Sequence, residues 1–100
     1  MLHARLDYQD RIIDMAEKFP DLFADCANCI QQEEPVFLLR ANDRCAPAAV
    51  LAWANFLETL GGDQVVVDHV RNWAKFMSDW RIDHDNGKVP DAPHDQLRLD

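Results

Sequence analysis

Gln64-Val65-Val66-Val67-Asp68-His69-Val70-Arg71-Asn72-Trp73-Ala74-Lys75-Phe76-Met77-Ser78-Asp79-Trp80 decides the fold class. Within it Val66, Val70, Trp73, Met77 and Trp80 recur at steps of four, three, four and three residues. That is the step of one face of a 3.6-residue helix. Asp63 stands where an N-cap is wanted, and Gly61-Gly62 just before it suits the left-handed end of a preceding helix. Trp73 sits mid-stripe and is expected to pack against the preceding helix near Trp53. Trp80, at the last turn, is the aromatic most available to a partner, and aromatics are favoured in binding hot spots.

Working outward, Pro47 opens that preceding helix, with Val50, Trp53, Ala54, Leu57 and Leu60 as its stripe and Ala49 and Phe56 widening it. Near the start of the chain, Asp7 to Phe19 reads as an amphipathic helix stopped by Pro20. Pro20 then suits the first turn of a second helix, whose stripe would be Leu22, Phe23, Cys26, Ala27 and Ile30. Val36-Phe37-Leu38-Leu39 fits a buried strand or a short buried helix equally. With no second strand in view to satisfy its backbone groups, a short helix closed near Asn42 is expected. From Asp83 onward Gly87, Pro90 and Pro93 abolish the periodicity. The expectation is therefore an all-α protein, a small single domain of four to five helices over residues 1–84, with an extended acidic tail over 85–100.

The most distinctive polar feature is Asp7, Asp10, Asp14 and Glu17, spaced three, four and three apart. On a helix they form one row, with Ile12, Ile13, Ala16 and Phe19 opposite. Successive carboxylates lie about 5 Å apart along the axis, near the order of phosphate spacing on a nucleic-acid strand. The whole chain has 18 acidic and 10 basic residues, a net charge of −8. Residues 1–34 carry −5 and residues 83–100 carry −3, around a neutral, apolar centre. Direct binding to DNA or RNA needs a basic footprint, so a protein partner with a basic surface is expected instead. Glu33 and Glu34 form a second acidic point.

Catalytic chemistry finds little support. Cys26-Ala27-Asn28-Cys29 is a C-x-x-C string, but it falls within a predicted helix with Cys26 on the apolar stripe, whereas a redox pair opens a helix. Zinc would need two further ligands at local spacing, and Cys45 has no companion. Reduced, structural thiols are expected from an odd cysteine count without a secretory signal. His3 and His94 fall in the frayed ends, His84 at the tail junction, and His69 beside an apolar stripe. Asp83-His84-Asp85-Asn86-Gly87 departs from a calcium loop, with glycine at the fifth position and His94 at the twelfth. No metal, no cofactor and no enzymatic activity are expected. The longest apolar stretch, Cys45 to Ala54, is far short of the roughly 20 residues a membrane helix needs. A soluble, cytoplasmic protein is the expectation.

Glu34-Pro35-Val36-Phe37-Leu38-Leu39-Arg40-Ala41, Ala46-Pro47, Trp53-Ala54, Gly61-Gly62, Trp73-Ala74 and Lys88-Val89-Pro90-Asp91 together resemble a family of small proteins from proteobacterial phages and mobile elements. The likeness spans residues 34–91 and rests on fold-building positions. Within that group, size and acidity look like an anti-CRISPR protein acting on type I-F systems. The resemblance implies a non-enzymatic inhibitor in the bacterial host cell. It would bind the RNA-guided surveillance (Csy) complex and block target DNA binding or duplex unwinding. Such a complex holds its nucleic acids in positively charged channels, which an acidic protein can occupy. Asp7, Asp10, Asp14, Glu17, Glu33, Glu34 and Trp80 are the candidate contacts. The alternative is a phage structural or regulatory adaptor whose acidic face serves solubility alone.

Overall fold

The computed structural model describes residues 2–23, 29–31, 33–84, 91 and 93–98. The chain divides into two compact units, one formed by residues 1–38 with 91–100, the other by residues 39–90. The described residues are mostly helical, as expected. They hold β1 (Leu2–His3), α1 (Leu6–Lys18), the single turn α2 (Pro20–Phe23), β2 (Pro35–Val36), α3 (Ala46–Thr59), α4 (Gln64–His84) and a 3₁₀ turn at His94–Gln96. Three long helices and a two-stranded sheet thus replace the four to five helices expected.

The second unit is an αα-hairpin. Pro47 lies in the first turn of α3, where its missing N–H leaves no helical bond unmade. The helix ends in a Schellman arrangement: Gly61 N–H donates to Glu58 O and Gly62 N–H to Leu57 O, both at 3.0 Å. Gly61 takes φ +77°, the left-handed conformation that glycine adopts without steric cost. Gly61→Ala should therefore cost about 1 kcal/mol, read as a lowered midpoint in thermal unfolding. Asp63 caps α4 as expected, its Oδ1 accepting the Val65 N–H at 2.8 Å.

The helix–helix seam is made of small residues. Ala54 is 0% exposed and Ala74 1%, flanked by buried Pro47, Val67 and Met77 and by half-buried Val50, Leu57 and Val70. These seams run 47–50–54–57 and 67–70–74–77, one residue away from the aromatic positions. Trp73 is 52% exposed and Trp53 56%, which overturns their expected burial. An indole at the seam would hold the backbones apart, whereas alanine lets helix axes approach toward the short end of the usual 8–10 Å range. The row 66–70–73–77–80 is a diagonal that crosses from the seam to the surface.

In the first unit β1 and β2 pair in parallel, with Leu2 opposite Pro35 and His3 opposite Val36. The short helix expected over residues 36–39 is absent, because Leu2–His3 provides the partner strand that a two-residue element hides from any periodicity. Pro35 opens a strand rather than a helix. His3, expected in a frayed end, is 1% exposed. The tail reading also changes. Arg98 N–H donates to Ala4 O at 2.7 Å and Leu97 forms an antiparallel bridge with Arg5, so this segment belongs to the first unit. Of the second predicted helix, Pro20–Phe23 is helical, while Cys29 and Ile30 are not. Its Cys26 and Ala27 lie outside the described residues. Cys29 is disulfide-bonded and Cys45 is free, so the reduced state expected of all three thiols fails at Cys29.

Candidate functional site

The acidic row lies along α1. Asp10, Asp14 and Glu17 are exposed, and among the described residues none of them forms an ion pair. Asp7 differs. Its Oδ2 accepts from Arg5 Nη2 at 2.8 Å and its Oδ1 from Arg5 Nε at 3.2 Å, a two-pronged pair. The hydrogen bond from Arg5 is the main reason the Asp7 carboxyl is held below the ordinary carboxylate range, with the guanidinium charge adding to it. Arg5 also lies over the Tyr8 ring, 4.1 Å from its centroid, which anchors the pair at the start of the helix. Asp7 is thus spent on local structure, and the row offers three available charges. The helix buries Ile12 on its other side, while Ile13 and Phe19 remain exposed.

Glu33 and Glu34 are both exposed at a turn in which Glu33 takes φ 65°. Glu34 Oε1 accepts the Gln31 N–H at 3.2 Å, and its carbonyl accepts the Leu2 N–H at 2.8 Å, so this residue ties the turn to β1. Trp80 is half-buried and stacks on the His84 ring at 4.1 Å between centroids, an arrangement within α4's last turn.

Sequence reasoning missed the surface formed by α3 and α4 together. One position after the seam, Asn55 and Glu58 on α3 meet Arg71 on α4: Arg71 donates to Asn55 Oδ1 at 2.8 Å and to Glu58 Oε2 at 3.1 Å. The Arg71 hydrogen bond is the main reason the Glu58 carboxyl is held low, with Gln64 adding a second donor. Because the two helices run antiparallel, the positions one before the seam share the opposite side. Among them Trp53 and Phe56 on α3 and Val66, His69, Trp73 and Phe76 on α4 are exposed, as is Leu60 one turn further along at the end of α3. Trp73 and Phe76 stack at 5.1 Å. The hairpin is therefore two-faced, polar on one side and aromatic on the other. Reading the large residues as core, in place of the alanines, concealed it.

His3 is the centre of the first unit. Its Nδ1 lies 2.9 Å from the Arg5 backbone N and its Nε2 2.6 Å from the Leu38 backbone N, and the ring stacks on Phe37 at 5.0 Å. Burial lowers its pKa from the ordinary histidine value, and the Arg5 charge acts in the same direction. Beside it a cavity of about 310 Å³ is lined by Leu2, Ala4, Pro35, Val36 and Arg98. Arg98, the cation there, is engaged by the His3 carbonyl at 3.3 Å and by Gln9 Oε1 at 2.9 Å. Among the described residues no group of three or more His, Cys, Asp or Glu is placed to hold a metal ion, and no helix is long and apolar enough to cross a membrane.

No family model, curated protein or solved structure matches this chain.

Proposed function

We propose that this chain is a non-enzymatic binding protein that acts by occupying a basic, nucleic-acid-binding surface on another protein. The observation that carries this reading is the exposed row Asp10, Asp14 and Glu17 on α1, which forms no ion pair among the described residues. Carboxylates aligned along a rigid helix present fixed charge without the entropy loss of ordering a loop. The target that the resemblance over residues 34–91 implies is the type I-F Csy surveillance complex, with target DNA excluded from its positive channels. Glu33 and Glu34 are a second point of charge, Asp7 a weaker contributor because Arg5 neutralises it, and Trp80 an apolar anchor at the far end of α4.

The test is the double reversal Asp10→Lys with Glu17→Lys, assayed for binding to purified Csy complex and for DNA capture by that complex. Exposed carboxylates at i, i+3 and i, i+4 repel mildly, so the fold should be unchanged or slightly more stable. Association should slow by at least tenfold at low salt, and the difference from wild type should shrink as salt screens the charges. Equal inhibition by the reversed and native proteins at low salt would reduce the row to a solvated face. Failure of the wild type to bind the complex would favour the adaptor reading.

A further inference from the structure

The aromatic face of the α3–α4 hairpin has the layout of half a four-helix bundle. Its rows run 53–56–60 on α3 and 66–69–73–76 on α4, at the three-and-four spacing by which bundle helices interlock. Trp53, Phe56, Leu60, Trp73 and Phe76 are each more than half exposed. Large exposed apolar patches on soluble domains mark contact surfaces. Four half-exposed aromatics with Leu60 and Val66 offer on the order of 600 Å² of apolar surface. A standard interface takes about 800 Å² from each partner, roughly 60% of it apolar, so the face reaches what a stable pair needs.

The chemistry of the face selects its occupant. Glu58 is the single charged residue of α3, and it is held by Arg71 on the opposite, polar side. Nothing in the rows 53–56–60 and 66–69–73–76 carries a fixed charge, so neither a nucleic acid nor a strongly charged protein surface is matched there. A helix pair bearing the same apolar rows, at the same spacing and without net repulsion, is matched, and a second copy of this chain brings one. Two-fold pairing is also the arrangement in which a single patch suffices for closure. We infer that the protein pairs with a second copy through Trp53, Phe56, Leu60, Trp73 and Phe76, forming a four-helix bundle from two α3–α4 hairpins. This inference is independent of the acidic row on α1.

The experiment is sedimentation equilibrium of the full chain between about 1 and 100 µM, spanning the weak end of the affinities seen for interfaces of this size. The expected result is twice the chain mass. Trp73→Glu should shift the protein to single-chain mass with its helical circular dichroism retained, since the side chain lies outside the hairpin seam. The milder Phe56→Ala should weaken pairing at least tenfold and keeps the test decisive if the glutamate variant loses helicity. Asp68→Asn, on the polar side, should leave pairing unchanged. Single-chain mass throughout the range would overturn the inference, as would open-ended aggregates or a dimer indifferent to both Trp73→Glu and Phe56→Ala.

Discussion

His3→Ala should unfold the first unit more readily by about 3–5 kcal/mol, the largest loss expected of any single side chain in it. The ring is fully buried, so truncation leaves a cavity between β1, α1 and the chain after β2. The Arg5 and Leu38 backbone N–H groups both point at ring nitrogens, and since a neutral imidazole accepts at one of them, truncation strands one N–H. An unsatisfied buried N–H costs about 1–3 kcal/mol. Urea unfolding at neutral pH would measure the loss; a change below 1 kcal/mol would show that Phe37 and Tyr8 close over the gap.

The same geometry fixes the sign of the pH dependence. A neutral imidazole has one lone-pair nitrogen to accept from an N–H, and an imidazolium has none. Burial, foremost, and the Arg5 charge keep the folded pKa below the ordinary value of 6.5. Between that lowered value and 6.5 the unfolded chain binds the extra proton, so stability rises with pH in this window. The contribution is complete above 6.5, is lost as pH falls below it, and levels off beneath the folded pKa. The carboxyls of Asp7 and Glu58 are held low and add a separate loss only below the ordinary carboxylate range. His3→Gln should flatten the slope just below 6.5 while leaving the loss in the carboxylate range in place.

Ala74→Leu is the counterpart in the second unit. Ala74 is 1% exposed and Ala54, on the facing helix, 0%. A leucine there must push the helices apart or leave its rotamer well, and overpacking of this kind costs about 1–3 kcal/mol. The upper end is expected, because Ala74 is flanked by buried Val67 and Met77 and faces the fully buried Ala54. That corresponds to a fall of roughly 10–20 °C in melting temperature for a unit this small. Ala52→Leu, on the exposed outer side of α3, should change stability by no more than about 0.5 kcal/mol.

Helix existence was legible because caps and breakers act locally. Pro20, Pro47, Gly61 and Asp63 each sit where the backbone needs them, and α1, α3 and α4 begin and end within a few residues of the expected positions. The buried faces were legible in part: Ile12, Val50, Ala54, Leu57, Val70 and Met77 lie where expected, but Trp53 and Trp73 do not, because hydropathy weights Trp above Ala. Close approach of two backbones is governed by side-chain size, so Ala54 and Ala74 won the seam and displaced the aromatics by one residue, or about 100° of rotation. The sheet was invisible for another reason. Two residues carry no period, and the pairing of Leu2–His3 with Pro35–Val36 is fixed by a histidine whose sequence neighbourhood announces nothing. The acidic row on α1 was readable from spacing, but the diversion of Asp7 to Arg5 was not. That pair forms across two residues at the helix start rather than along its i, i+4 ladder.

The path of the chain imposes an order on its own making. The first unit is left at residue 38 and re-entered at residue 91, so β1 and α1 are synthesised long before the segment that completes them. Arg98 reaches back 95 residues to the His3 carbonyl and 89 to Gln9, whereas Arg71 and Glu58 are 13 apart. Loop closure over such spans is slow compared with closing a hairpin, so on folding α3 and α4 are expected to zip together before residues 97–98 return to β1. Until residues 97–98 arrive, β1 has β2 as its partner but lacks the contacts that Leu97 and Arg98 make to Arg5 and Ala4. Folding in this order passes through a stage in which the hairpin is formed and the acid-bearing unit still lacks its last segment.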